Sequence, residues 1–308
     1  MCRILGIEAI MRDIKRILCP VDLSDVSSHT VDHAVLMARW YEAKITALHV
    51  SYPIVLPISD FAVATVAVPL ALTEDEFRAA REKVLDCFAS AKATDVDVVI
   101  DVGHPANSIL SCSRTLPADL IVIGTHGIGG FDHLVLGSDT EKVLRKAGCP
   151  VLTVPPHART TSALPFKRIL CPIDFSDSSL AALEFAFSLA QEGDAELTIL
   201  HVFDRLAEDE PLTNRPISVP EYRLEVEADF LARLHALVPD SVRTWCRPNT
   251  RIAHGKAYRE ILGIATEDRA DLIVMGVHGR NALDLMLFGS TTNQVVRRAT
   301  CPVLTLRH

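Results

Sequence analysis

The sequence predicts a tandem pair of α/β domains, each a doubly wound, five-stranded parallel sheet. Three observations predict it. The first is an internal repeat: Lys15–Ser24 (KRILCPVDLS) returns as Lys167–Ser176 (KRILCPIDFS), an offset of 152 residues. The same offset of 152 carries Leu48–Val50 (LHV) onto Leu200–Val202 and Ala118–Gly127 (ADLIVIGTHG) onto Ala270–Gly279 (ADLIVMGVHG). It also carries Gly137-Ser138 onto Gly289-Ser290, and CPVLTV at Cys149 onto CPVLTL at Cys301. One offset shared by every block describes a duplicated domain rather than a small repeating unit. The second observation is that short apolar runs alternate with helix-length amphipathic segments. The third is that those runs are apolar on both faces, as in a parallel sheet covered on both sides by helices.

In the first half, Arg16–Val21 reads as a buried strand and Val26–Tyr41 as the helix that follows Ser24. Ala43–Val50 is the second strand, and Thr73–Lys92 a helix opened by a T-x-x-E pair, Thr73 and Glu76, the signature of a capping box. Val96–Val102 is the third strand. Pro105–Thr115 is a helix with proline in its first turn, where the missing amide is not needed. Leu120–Gly124 is the fourth strand, Ser138–Ala147 a helix stopped by Gly148, and Val151–Val154 the fifth strand. The second half repeats this order. The domains are thus expected at 15–155 and 167–308, with 1–14 as an N-terminal extension and 156–166 as a linker within the Pro/Thr/Ser-rich Pro155–Phe166. The first ten residues, which precede Met11, stand under two readings, an extension outside the fold or an upstream start.

A chain of 308 residues suits two domains. With 49% apolar and 23% charged residues it has an ordinary globular composition, which excludes disorder and a collagen-like chain. The net charge is −8 and no run of Lys and Arg stands out. Nucleic-acid binders carry a basic footprint, so that class is set aside. Eight cysteines form no C-x-x-C pair, which suits buried thiols in a reducing cytosol better than a disulfide framework or a zinc site. Cys19, Cys149, Cys171 and Cys301 each precede a proline at an apolar strand and read as structural. The opening residues carry scattered charges and no small-residue cleavage site, unlike a signal peptide. Pro53–Leu72 is the one long apolar stretch, but Asp60 and three prolines (Pro53, Pro57, Pro69) argue against a spanning helix. It reads either as a loop packed on the first domain or as a contact for a partner or second copy, because the corresponding Phe203–Pro220 is polar. The expected location is the cytoplasm.

Open α/β sheets bind ligands beyond the carboxyl ends of their strands. There the sequence writes G-x2-G-x9-G-S twice: Gly124, Gly127, Gly137 and Ser138, then Gly276, Gly279, Gly289 and Ser290. This chemistry favours a phosphate. Glycine lets the backbone approach a bulky anion, and the Gly-Ser pair opens a helix whose free N–H groups and dipole attract negative charge. The serines have a second reading, since Ser138 with Glu141 also spells a capping box, and Thr291 with Gln294 a comparable pair. No GxxxxGK[ST] is present and no GxGxxG follows the first strand, which sets aside a Walker-type site and a dinucleotide dehydrogenase. His126 and His278 lie between the loop glycines, either reaching phosphate or idle in a loop; His104 and His254 receive no role. No Ser/His/Asp set or paired carboxylate stands at mechanistic spacing, so the pattern is that of a binding site.

Together these residues resemble the universal stress protein family, in particular the ATP-binding subclass of its tandem two-domain members, from about Lys15 onward. The resemblance rests on both glycine loops, on an aspartate after strand one (Asp22 in CPVD, Asp174 in CPID), and on the His49-Val50 and His201-Val202 endings of strand two. It implies Rossmann-like domains in which Asp22 and Asp174 meet the ribose and Val50 and Val202 border the adenine. Gly124, Gly127, Gly137 and Ser138 would cradle phosphates in one half, and Gly276, Gly279, Gly289, Ser290 and Thr291 in the other. For the aspartates a D-x-S turn is the alternative reading. The implied ligand is ATP, or else ADP or AMP, with Mg²⁺. The implied assembly is an intramolecular pseudo-dimer of the halves through their fifth strands, with a homodimer and an unidentified protein partner as further expectations. The implied function is a nucleotide-dependent sensor or regulator of the stress response. The alternatives are a weak ATPase or phosphotransferase using the same loops, and an interaction protein whose loops are relics. Asp139 follows Ser138 where Thr291 follows Ser290. A carboxylate beside a triphosphate repels it unless a cation intervenes, so the second half is expected to bind ATP more tightly. An acid in a helix's first turn also has a dipole reading.

Overall fold

A computed structural model describes residues 14–24, 26–51, 72–125, 136–156, 158, 166–203, 219–246, 248–278 and 289–307. The chain divides into two compact units, one built on Asp13–Ala163 and the other on Leu164–His308.

In the first unit the elements are β1 (Arg16–Pro20), α1 (Ser27–Tyr41), β2 (Lys44–Ser51), α2 (Glu74–Ser90), β3 (Val96–Val102), α3 (Pro105–Thr115), β4 (Leu120–Gly124), α4 (Ser138–Lys146) and β5 (Val151–Val154). The strands are parallel in the order β3-β2-β1-β4-β5. The order reverses direction beside β1, between β1 and β4, and this is where an open α/β sheet splits to admit a ligand. Helix α1 packs with α2 and α3 with α4. The central strand β4 is buried from Leu120 to Ile123, which is why it reads as a continuous apolar run.

The second unit holds β6 (Arg168–Pro172), α5 (Asp177–Gly193), β7 (Glu196–Phe203), α6 (Val219–Ala236), α7 (Asp240–Arg243), β8 (Asn249–His254), α8 (Ala257–Glu267), β9 (Leu272–Gly276), α9 (Ser290–Arg298) and β10 (Val303–Leu306). Its strands run β8-β7-β6-β9-β10, again parallel. The repeat departs most at α6, which ends six residues before Val242, the counterpart of helical Ser90, and is followed by the short α7. Pro239 enforces the stop, since it has no amide to continue the ladder, and it becomes the N-cap of α7.

One repeated residue explains itself in the fold. The aspartate of ADLIV accepts the first amides of the neighbouring strand: Asp119 Oδ2 from Lys15 (3.0 Å) and Arg16 (2.9 Å), and Asp271 from Lys167 (2.8 Å) and Arg168 (3.0 Å). The predicted capping box at Thr73 and Glu76 is present in both directions. Cys19 and Cys171 are fully buried and Cys301 is buried, whereas Cys149 is half-buried. Burial pushes the thiols of Cys19 and Cys171 well above the usual range, Cys149 to about 11 and Cys301 to about 12. Among the described residues no helix is long and apolar enough to cross a membrane. The stretch 53–71, most of the linker and residues 1–13 lie outside the described residues.

Candidate functional site

The carboxyl end of β1 leads into a tight polar turn. Asp22 Oδ1 accepts the Ser24 amide (3.1 Å), the Ser24 hydroxyl (2.7 Å) and the Ser27 hydroxyl (2.5 Å). Asp174 Oδ1 accepts the Ser176 amide (3.0 Å) and hydroxyl (2.5 Å). The D-x-S turn reading of both aspartates is therefore realised, and both carboxylates remain half-buried at the strand end. The residue between Asp and Ser is left-handed in both halves, Leu23 at φ 61° and Phe175 at φ 62°. Side chains avoid that region, and the carboxylate's grip on the next amide holds the turn against the strain.

The repeated histidine of strand two has a structural task. His49 Nδ1 donates to the Val21 carbonyl (2.9 Å) and His201 Nδ1 to the Ile173 carbonyl (2.7 Å). Each carbonyl belongs to the residue just before the aspartate, so the imidazole pins the Asp-bearing turn onto the neighbouring strand. Val50 and Val202 come next, half-buried near the ends of β2 and β7.

The two ends of each glycine loop are stitched together. The Gly137 amide donates to the Thr125 carbonyl (3.0 Å) and the Gly289 amide to the Val277 carbonyl (3.1 Å). Inside the following helix, Thr140 Oγ1 donates to the Gly124 carbonyl (2.8 Å) and Thr292 Oγ1 to the Gly276 carbonyl (3.0 Å). These bonds draw the helix starts at Gly137 and Gly289 onto the strand ends at Gly124 and Gly276, with Ser138, Ser290 and Thr291 next in sequence. Gly127, Gly279 and His126 lie outside the described residues. The sequence reasoning passed over Thr140 and Thr292, although their recurrence at the same offset was a signal.

The capping-box reading of the serines is overturned. Gly137 and Gly289 are themselves the N-caps, neither cap makes a side-chain bond, and Ser138 and Ser290 are the first helical residues with exposed side chains. Glu141 instead pairs with Arg145 at 2.6 Å. Asp139, half-buried in the first turn of α4, accepts the Ala106 amide in the first turn of α3 through its Oδ1 (3.2 Å). Its dipole role is thus played toward α3.

The two measurable loop glycines differ in purpose. A Cβ on Gly276 would meet Ser178 Oγ at 2.6 Å and the Ser178 carbonyl carbon at 2.8 Å, so α5 itself demands glycine there. A Cβ on Gly137 would make only ordinary contacts, 3.5 Å to the Thr125 carbonyl and 3.6 Å to Thr140 Oγ1. Its φ of −56° suits any residue. Among the described residues neither packing nor the backbone requires glycine at 137. The space its missing side chain leaves lies against the free end of α4, where a helix offers unsatisfied amides. His278 adds two buried ring nitrogens with no hydrogen-bond partner among the described residues. Among those residues no group of three or more His, Cys, Asp or Glu gathers as a metal site requires.

Comparison with known proteins agrees with this architecture. The universal stress protein family model matches residues 13–155 and again 165–307. A universal stress protein of Mycolicibacterium smegmatis is 30% identical over 297 residues, covering 94% of this chain and 96% of that protein. The universal stress protein YxiE of Bacillus subtilis is 35% identical over 147 residues, 46% of this chain and 99% of its own. The crystal structure of a universal stress protein from Archaeoglobus fulgidus shares the fold, with a TM-score of 0.64 at 24% identity over 95% of this chain and 96% of that one. Two matched domains and a relative that runs the length of the chain carry one conclusion: this protein belongs to the universal stress protein family.

Proposed function

We propose that each half binds an adenine nucleotide, ATP foremost and ADP or AMP in its place, and that occupancy makes the protein a nucleotide-dependent sensor or regulator of the cytoplasmic stress response. The observation that carries this reading is the open N-terminus of α4 and α9. Each presents a serine hydroxyl that does not cap its helix, and in the first half it stands beside a glycine that packing among the described residues does not need. Helix amides, a hydroxyl and room for a bulky anion are the elements of a phosphate cradle. The chain's residues fit the ligand in its other parts as well. Asp22 and Asp174 place carboxylate acceptors where ribose hydroxyls would donate. Val50 and Val202 supply apolar surface for the base. Gly124, Gly127, Gly137 and Ser138 take the phosphates in one half, and Gly276, Gly279, Gly289, Ser290 and Thr291 in the other. Mg²⁺ would arrive with the phosphates and screen their charge.

The halves differ in their first helical turn. Asp139 keeps a negative charge beside the first cradle even while bonded to α3, whereas Thr291 is neutral. The second half therefore binds ATP more tightly in this reading. The pairing of the halves as an intramolecular pseudo-dimer, and of the chain with a second copy, belongs to the same proposal; light scattering would report one chain mass or two.

The direct test is to unfold the purified protein, release what it holds, and identify and count nucleotide by chromatography and mass spectrometry. ATP or ADP in a simple ratio to the chain supports the reading. No released nucleotide, together with no heat on titration with Mg-ATP, overturns it.

A further inference from the structure

The second half carries a groove at the amino ends of its strands, opposite the ends that lead into the glycine loop. Its volume is about 420 Å³, and its lining includes Arg168, Leu170, Glu196, Thr198, Asn249 and Asp268. The sheet register sets the strand residues on one face. Arg168 pairs with Glu196, Leu170 with Thr198 and Thr198 with Asn249, and residues two apart on a strand point the same way. Arg251, two beyond Asn249, reaches Glu267 (2.9 Å) and Asp268 (3.4 Å) at the end of α8. Helix α8 therefore covers this face and finishes at the groove.

Charge is placed there against the helix's own preference. The C-terminus of a helix is its negative end and favours cations. Helix α8 nevertheless ends on Glu267, with Asp268 as its C-cap and no basic residue in its last turn. The equivalent α3 has Arg114 in its last turn and Leu116 as its C-cap. Arg251 is shared between the two carboxylates, and its bond to Asp268 is the longer one. Asp268 Oδ2 is buried with no hydrogen-bond partner among the described residues, a state that costs free energy until a donor arrives. The acidic lining is particular to this half: Glu196 and Asp268 stand where the first half has Lys44 and Leu116. Asn249, matched by Asp97, runs the other way. Arg168 gives the rim one cationic corner, its Nε donating to the Arg269 carbonyl (3.0 Å).

We propose that this groove binds a small organic ammonium ion, an aliphatic amine or an amino acid, through the carboxylates of Asp268 and Glu196. An ammonium brings three donors, and its bonds to carboxylates are of the strong, charge-assisted kind. The volume falls in the range of small-molecule sites, with room for a carbon body beside the charge. A metal ion suits the place less well, since among the described residues no group of three or more His, Cys, Asp or Glu gathers. The site stands independently of the nucleotide reading, because it lies at the other end of the strands.

The test titrates the full-length chain, stripped of nucleotide because amines pair with phosphates, with putrescine and separately with ornithine, which is putrescine bearing a carboxylate. Calorimetry is expected to show one site per chain and a Kd below about 1 mM for at least one of them. Tighter binding of ornithine, erased by Arg168→Gln, identifies an amino acid; putrescine binding as tight or tighter identifies an amine. Asp268→Asn is expected to weaken binding about tenfold and Glu196→Gln, at an exposed position, about threefold. In the ligand-free chain Asp268→Asn should raise the urea midpoint, because it removes charge from the negative end of α8. A lower midpoint shows that Asp268 serves the fold and overturns the proposal. So does an absence of binding by both probes, an affinity that neither carboxylate substitution changes, or equal binding of MgCl₂ at matched ionic strength.

Discussion

His33 shows how one residue sets a condition on the first half. It lies on α1 with 2% of its surface exposed, its Nδ1 bonded to the His29 carbonyl at 2.7 Å and its Nε2 buried with no partner among the described residues. Burial lowers its pKa from the ordinary 6.5, against smaller opposing effects of that carbonyl and of Asp32. The unfolded chain therefore takes up a proton that the folded chain refuses. Stability is complete above the ordinary value and drains away as pH falls through it toward the folded value. The second half places the buried Phe185 at this position. His33→Phe is expected to flatten the acid side of the stability profile, read as urea midpoints between about pH 5 and 8. A midpoint that falls just as steeply in the variant rules out His33 as the source. His49 makes a second prediction at this scale. His49→Phe keeps a ring but leaves the Val21 carbonyl without its donor, and should cost about 1–2 kcal/mol in urea unfolding.

Among the elements, the loops after β4 and β9 hold one glycine that packing against α5 requires and, in the proposed reading, one that a ligand uses. Gly276→Ala drives a methyl into the Ser178 backbone and should destabilise the protein by about 1–3 kcal/mol. Gly137→Ala meets no such obstacle. Alanine is a poorer N-cap than glycine, but it also reduces the freedom of the unfolded chain, and the two effects nearly cancel. Its stability should stay within about 0.5 kcal/mol of the parent, while Mg-ATP affinity in the first half falls. Equal destabilisation by the two substitutions would show that both glycines are structural. Strands β1 and β6 make a different kind of statement through Cys19 and Cys171. Both thiols are buried and held protonated, so a brief iodoacetamide pulse on the native protein should label neither, and labelling should appear only on unfolding.

At the scale of the whole molecule, duplication has placed two copies of the glycine loop on one chain, and the proposed function makes each a nucleotide site. A ligand that binds the folded state alone stabilises it by about 2.7 kcal/mol at a hundredfold excess over its Kd. Mg-ATP should therefore raise the thermal midpoint of the full chain, and closing either cradle should remove part of that rise. An unchanged midpoint at saturating Mg-ATP would contradict two nucleotide sites.

The sequence by itself determined the elements. A single offset, the apolar runs and the turn residues placed the strands and helices other than α6 and α7 within a few residues, because burial on both faces and the helix signals at Thr73 and Pro105 are local properties that a sequence records. It also pointed to both glycine loops. The tertiary structure alone decided what those residues do. Ser138 spells a capping box with Glu141, yet Gly137 takes the cap and Arg145 takes the glutamate, since an N-cap is chosen by backbone geometry at the loop's end. Asp22 and Asp174 fold back on their own serines, and the histidines of strand two brace them across 28 residues. The bond from the Ser178 hydroxyl to the His278 carbonyl spans 100 residues of chain. Contacts at that separation depend on which strands become neighbours, and only the folded sheet brings the ends of β1 and β4, or β6 and β9, together.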